Sequence, residues 1–343
     1  MSKIRVGIIG AGWAGRTHAE ALRYAPEAEL VAIADPKFEL SGTDANATMD
    51  LDKRYGVELI ASPDELIERK DIDAIFIASP HQYHCPQAIH CAKTGKHVFV
   101  EKPMATSVED CREMIDICKQ AGVKLMVGHF SRFREPAQAV KLVLESGRLG
   151  KVLMMREVMV DPSEGGWRYQ PESKGVLLGY GVHSIDRIRW WLGSEVEKVC
   201  SLSSHFRGSP AEDGSQLLMH FVNGAQVSLM CTDIWPVNDP LSPGAVPATS
   251  MILCEKGVVD INMYGDVKVA SHGPWETIST LRKWDSPTSF ERIRAYALQA
   301  RDFIDSISSD QEPSISGEDG LAAVAIALAA YKSSEIGEWV HVS

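Results

Sequence analysis

Residues 4–9 read IRVGII, an apolar and β-branched run, and GAGWAG follows directly, placing Gly10, Gly12 and Gly15 at the spacing G-x-G-x-x-G. Such a run predicts a strand buried on both faces, and the glycines predict the turn from that strand into a helix. Each glycine meets its own requirement: a tight turn at Gly10, close approach of a pyrophosphate to the backbone at Gly12, and packing of helix on strand at Gly15. The first helical amides, at Trp13, Ala14 and Gly15, would attract an anion.

The next strand, residues 29–34, ends at Asp35, 25 residues after Gly10, near the roughly 20-residue offset at which an acidic side chain meets a ribose 2′-hydroxyl. A carboxylate there repels a 2′-phosphate and favours NAD over NADP, although Lys37 stands nearby. Further strands are expected at 74–78, 97–100 and 124–127, alternating with helices that begin near Gly12, Ser62, Pro86 and Ser107. Past Gly128 the texture changes. VLMMREVMV, QLLMHFVNGAQVSLMCT, SMILCEKGVVDINMY and DVKVAS read as strands, with turns at Asn223-Gly224 and Lys256-Gly257. The helical stretch SIDRIRWWLG lies between the first two, helices at 289–308 and 318–336 close the chain, and DPLSPGAVP reads as a surface loop. The length of 343 residues exceeds what one core usually serves. The expected fold is therefore α/β: an N-terminal Rossmann doubly wound parallel sheet over 1–127, and a C-terminal α+β domain over 128–343 with a large, mostly antiparallel open sheet. The last helix is free in this reading to pack back on the first domain.

A net charge of −11, spread along the chain, repels phosphate backbones and anionic lipid, so neither nucleic acid nor membrane is an expected partner. The apolar start is far shorter than the ~20 residues that span a bilayer, and no signal peptide or anchor is expected. Seven cysteines without a C-x-x-C pair point away from zinc and redox chemistry and toward buried thiols in the cytoplasm.

Three further segments bring a resemblance into view: SPHQYH at 79–84, EKP at 101–103 after HVFV, and GYGVHSID at 179–186. With GAGWAG they resemble the Gfo/Idh/MocA oxidoreductase family, and the likeness runs on to the closing DGLAAVAIALAAYKSSEIGEWV. It implies a Rossmann domain joined to an α/β domain whose open sheet often mediates oligomerisation, and oxidation or reduction of sugars, inositols or their derivatives. A homodimer or homotetramer follows from that implication and from the apolar LLMHFV strand; burial of that strand by the chain's own helices is the alternative.

Lys102 stands at the C-terminal end of a parallel strand, the edge where open α/β sheets bind ligands. Its ammonium could hydrogen-bond a substrate hydroxyl and stabilise alkoxide character as hydride leaves. The resemblance makes it the catalytic lysine; a surface Lys-Pro turn is the plain alternative. The same resemblance sets Ser79, Pro80, His84 and Glu101 near the cofactor and His81, where the family commonly has asparagine, near the substrate. His81 and His84 lack further ligands in register, so no metal is expected. His183, matching the family together with Gly181 and Asp186, is the expected proton acceptor, since imidazole titrates near working pH. Many members carry an aspartate four residues earlier; this chain has Gly179. Tyr180 offers a phenol as substitute, although about 100° round a helix from position 179, and simple aromatic packing is its other reading. Trp167 and Arg168 match a Trp-Arg pair that meets substrate in similar proteins, with a packed Trp and solvated Arg as the alternative. Arg132, just past the last Rossmann strand, is assigned to the cofactor, and Trp190-Trp191 to the core.

These features favour an NAD-dependent oxidoreductase acting on a small polyol or sugar. Two other readings stay open: a redox-neutral glycosidase that oxidises and re-reduces on one cofactor, and a nucleotide-responsive regulator, which Gly179 motivates.

Overall fold

The computed structural model describes residues 3–40, 51–161, 170–234, 249–280 and 289–342. It divides into two compact units, residues 1–129 with 296–321 and residues 130–295 with 322–343.

In the first unit the elements alternate: β1 (Ile4–Ile9), α1 (Trp13–Leu22), β2 (Ala28–Ala34), α2 (Lys37–Leu40), α3 (Leu51–Tyr55), β3 (Glu58–Ile60), α4 (Pro63–Glu68), β4 (Ala74–Ile77), α5 (His84–Lys93), β5 (His97–Val100), α6 (Val108–Ala121) and β6 (Leu125–Val127). The six strands pair in parallel in the order β3-β2-β1-β4-β5-β6, the doubly wound order whose ligand crevice lies where β1 and β4 diverge. The expected parallel sheet is present with one more strand than the sequence suggested. β3 escaped notice because three residues, one of them the exposed Glu58, carry no alternation. Ser62 and Ser107 begin α4 and α6 by accepting from the amides of Glu65 at 3.3 Å and Asp110 at 3.1 Å, each cap stabilising its helix by about 1 kcal/mol. The core centres on Phe76 and Phe99, stacked with ring centroids 4.4 Å apart, and Phe303, edge-on to both; truncating one such ring costs about 3–5 kcal/mol.

The second unit contains α7 (Glu135–Glu145), β7 (Val152–Val160), α8 (Val182–Leu192), β8 (Val196–Ser204), β9 (Gly214–Phe221), β10 (Gln226–Thr232), β11 (Thr249–Cys254), β12 (Gly257–Asn262), β13 (Asp266–Ala270) and β14 (Glu276–Thr280). After these come α9 (Phe290–Ser309), α10 (Gly317–Ile336) and β15 (Val340–His341), the two helices contributing residues to both units. Nine strands form one sheet, β14-β13-β12-β11-β7-β10-β9-β8-β15. Every neighbouring pair is antiparallel except β7 with β10, in keeping with the mostly antiparallel expectation. The sequence reading missed β8, β14 and β15. β8 buries Val196, Val199 and Ser201 on its inner side, and small polar residues along it mute the apolar alternation on which strand recognition depends. Trp191 is buried and donates its indole N–H to the Ala137 carbonyl at 2.9 Å, joining α8 to α7. The loop DPLSPGAVP lies outside the described residues.

Candidate active site

At Gly10 and Gly15 the glycine loop is shaped by contacts that leave no room for a side chain. Gly10 adopts φ +101°, and a Cβ there would lie 2.5 Å from the Ala78 carbonyl oxygen. A Cβ on Gly15 would fall 1.8 Å from the Gly10 carbonyl oxygen and 3.4 Å from Ile8, so α1 can rest on β1 only if this residue has no side chain. At Gly12 a Cβ meets nothing within 4 Å. The protein therefore does not itself require glycine there, and the space fits a pyrophosphate drawn against the opening amides of α1. Asp35 braces the loop: Oδ2 accepts the Ala11 N–H at 2.8 Å and Oδ1 the Lys37 N–H at 2.9 Å. Its carboxylate is fixed at the end of β2 with lone pairs to spare for ribose hydroxyls. Arg16, which the sequence reading did not single out, closes the loop from the other side by donating Nε–H to the Ala11 carbonyl at 2.8 Å. Trp13 is half exposed, its ring edge-on to Tyr296 at 6.1 Å.

At the end of β5, Lys102 is half-buried and precedes Pro103 through a cis peptide. Glu101 is buried; its carboxylate meets His18 Nε2 at 2.7 Å and accepts the Lys102 N–H at 3.1 Å. His84 is wholly buried, with Nδ1 2.9 Å from the Pro103 carbonyl oxygen and Nε2 2.9 Å from that of Ser79. It thus ties the loop after β4 to the Lys102-Pro103 turn. Burial pushes this imidazole below the ordinary histidine range, against the opposing pull of the two carbonyls. With both nitrogens facing carbonyl oxygens, His84 has none to offer a metal beside His81, whose ring lies 5.5 Å away. Burial first, then the charges of His84 and Lys102, push His81 well below its usual range, so a neutral imidazole stands next to the lysine. Ser79 donates its hydroxyl to Gln87 Oε1 at 2.6 Å, and Pro80 is exposed.

In the second unit, His183 is the second residue of α8 and is buried. The turn before it, Leu177–Gly181, is π-helical, which alters the α-helical geometry assumed for Gly179 and Tyr180; such turns often accompany functional sites. Tyr180 meets the His183 ring edge-on at 5.8 Å, and Phe130 meets it at 5.0 Å. A Cβ at Gly179 would meet nothing within 4 Å, whereas one at Gly181 would strike Leu177 at 2.8 Å and Cys231 Sγ at 3.2 Å. Glu212 and Tyr331 anchor the π-turn: Glu212 Oε1 accepts the Leu177 N–H at 2.6 Å, and the Tyr331 hydroxyl accepts that of Leu178 at 3.1 Å while donating toward Glu212 and the Lys174 carbonyl. Arg132 grips Asp186 through Nε–Oδ2 at 2.8 Å and Nη2–Oδ1 at 2.5 Å. Its planar fork therefore faces a carboxylate of its own chain. Trp167 and Arg168 lie outside the described residues.

Sequence reasoning missed His18, Glu212 and Tyr331. His18 sits in the second turn of α1, behind GAGWAG, where a polar residue on a buried helix face was the available signal. Glu212 and Tyr331 are 119 residues apart, and no local pattern joins them.

A glycine loop at a helix start, an acid at the end of the second strand and a charged pair at the end of β5 define a dinucleotide-binding oxidoreductase. The chain belongs to the Gfo/Idh/MocA oxidoreductase family: residues 4–129 match the oxidoreductase family, NAD-binding Rossmann fold, and residues 137–260 match the GFO/IDH/MocA C-terminal domain. It is 29% identical to the myo-inositol 2-dehydrogenase of Thermotoga maritima over 97% of this chain and 96% of that one. It is 28% identical to the inositol 2-dehydrogenase of Rhizobium meliloti over 96% of each. Among solved structures, a levoglucosan dehydrogenase in complex with NADH and L-sorbose superposes with a TM-score of 0.86 at 25% identity, covering the whole of both chains.

Proposed function

We propose that this oxidoreductase transfers hydride between NAD and a secondary alcohol or ketone of a sugar, an inositol or a related polyol. The observation that carries the proposal is the end of β5. There Lys102 stands on the same strand-end edge as the glycine loop and Asp35, with a buried carboxylate behind it and the neutral His81 beside it. The inositol dehydrogenases and the levoglucosan dehydrogenase among its relatives support the substrate class. When bound, NAD supplies the hydride acceptor. Gly10, Gly12, Gly15 and the opening of α1 would hold its pyrophosphate, Asp35 its ribose, and Ser79 and Pro80 the edge near the nicotinamide, with the Glu101 carboxylate supporting that edge from behind rather than binding NAD. Lys102 would donate to the reacting hydroxyl oxygen and His183 accept its proton, with Tyr180 assisting and His81, Trp167 and Arg168 holding the sugar.

The partner we assign is a second copy of the chain, in a homodimer or homotetramer. Met154, Leu202, Leu218, Met230, Met251 and Leu253 are all exposed on the nine-stranded sheet, and registers place them on one face, where a second copy would cover them. The cellular setting we assign is cytoplasmic. All seven cysteines are free, burial pushes Cys85 and Cys254 up to about 11 and Cys111 and Cys118 up to about 12, and among the described residues no helix is long and apolar enough to cross a membrane.

The test is an ultraviolet assay of NADH formation with inositols, aldoses, sugar acids and glycosides, run on wild type and Lys102→Ala. NADH from wild type alone supports the proposal and names the substrate. Glycoside cleavage that requires NAD without accumulating NADH would replace it with a redox-neutral reaction. Inertness toward the whole panel in a protein that binds NAD would replace it with a regulatory role.

A further inference from the structure

The Glu101 side chain is buried and bridges α1 to its own strand end. Its backbone N–H continues the sheet ladder to the Ile77 carbonyl at 2.9 Å, and its carboxylate lies behind the ladder between His18 and the Lys102 N–H. Gly128 leaves the room for this: a Cβ there would sit 3.1 Å from the Glu101 Cα, Cδ and Oε1. His18 is 1% exposed and enclosed by Phe99 at 4.9 Å, Phe76 at 5.4 Å and Tyr296 at 5.4 Å. Close packing on these sides restrains the imidazole. Among the described residues its Nδ1 has no hydrogen-bond partner, so its polar contact is the one with Glu101. A buried carboxylate deprived of its donor reorients or takes up a proton, because an unpaired buried charge is strongly disfavoured.

We propose that His18 is a positioning residue for Lys102: it holds the Glu101 carboxylate against the strand end, where that carboxylate clamps the Lys102 N–H and its charge acts on the Lys102 ammonium. The proposal rests on the reading of Lys102 as the group that meets the substrate hydroxyl, and it adds a supporting residue on a different element. Burial alone would push the Glu101 carboxyl up, yet the His18 hydrogen bond and the charges of His18 and Lys102 hold it below the usual carboxylate range. His84 also faces Glu101 through its charge, and His81 faces Lys102; burial pushes both imidazoles down, and Glu101 faces the ammonium with a negative charge.

Full-length protein with 13C-dimethylated lysines, titrated by NMR, reads Lys102 directly once its signal is assigned by its loss in Lys102→Arg. The isosteric Glu101→Gln should lower the Lys102 midpoint by about 1 pH unit or more. His18→Leu should do the same, and His18→Gln, whose amide can donate to the same oxygen, should restore most of the shift. An unmoved Lys102 midpoint in Glu101→Gln overturns the proposal, and so does His18→Leu that titrates as wild type. Should His18→Leu fail to fold, Glu101→Gln and His18→Gln decide. With myo-inositol as probe substrate and NAD affinity measured separately, kcat in Glu101→Gln should fall at least ~10-fold while NAD Kd stays within about twofold. If Lys102→Ala turns over as well as wild type, the catalytic reading of Lys102 fails whatever the titration shows. If Lys102→Ala is inactive and the Lys102 midpoint ignores Glu101 and His18, only the positioning role fails.

Discussion

Arg132 and Asp186 face each other as a buried bidentate pair, two N–H groups of one fork on the two oxygens of one carboxylate. Asp186 is fully buried and Arg132 nearly so. The pair fixes α8 three residues beyond His183. Asp186→Asn leaves the guanidinium without its counter-charge and should destabilise the protein by about 3–5 kcal/mol. The double change Arg132→Met with Asp186→Leu should recover much of that loss. Urea unfolding of the three variants checks this; a single variant within about 1 kcal/mol of wild type would show that the pair does not hold the helix.

The three loop glycines should separate folding from binding. Gly15→Ala drives a methyl into the Gly10 carbonyl, so it should melt well below wild type and lose NAD. Gly12→Ala meets no protein atom and should melt within about 0.5 kcal/mol of wild type, yet bind NAD at least ~10-fold more weakly. Thermal melts beside fluorescence titrations with NAD distinguish the two. Undiminished affinity in Gly12→Ala would mean that the pyrophosphate does not approach there.

Glu212 gives stability a defined dependence on pH. Burial pushes its carboxyl up to about 7, above the unfolded value of about 4.3. A raised folded value means that the associated stabilisation is complete below about pH 4 and is lost as pH rises through about 7, an effect on the order of 3 kcal/mol. Wild type should therefore lose more stability than Glu212→Gln between about pH 5 and pH 8, measured by denaturant midpoints. Equal losses in the two proteins would show that Glu212 folds already ionised.

Gly179 is the position where the family often carries an acid and this chain carries none. Since a Cβ there meets nothing within 4 Å, and aspartate ranks slightly above glycine in helix propensity, Gly179→Asp should fold with a nearly unchanged melting point. Under the proposed chemistry the added carboxylate near Tyr180 and His183 should raise turnover and move its pH profile. A lower kcat/KM with normal folding would show instead that the substrate uses the space the glycine leaves.

The amino-acid sequence by itself determined the elements whose signals are local. Gly10, Gly12 and Gly15 sit within six residues, and Asp35 lies at a fixed distance along one βα unit, so the Rossmann sheet and its nucleotide loop could be read directly, as could Lys102 at a strand end. Strands with full apolar runs were legible; β3, with three residues, and β8, whose buried positions include Ser201, were not, because burial in a sheet is conferred by neighbours rather than by the residue. Only the tertiary structure decided where charges went. His18 and Glu101 are separated by 83 residues, Arg132 and Asp186 by 54, Glu212 and Tyr331 by 119. Position along the chain places Arg132 and Glu101 near an edge without aiming their side chains, and the folded chain gives them Asp186 and His18 as partners. Which way a buried charge turns is set by the partner that can neutralise it, since leaving it unpaired in a low-dielectric interior is prohibitive, and that partner is brought into reach only when the chain has folded.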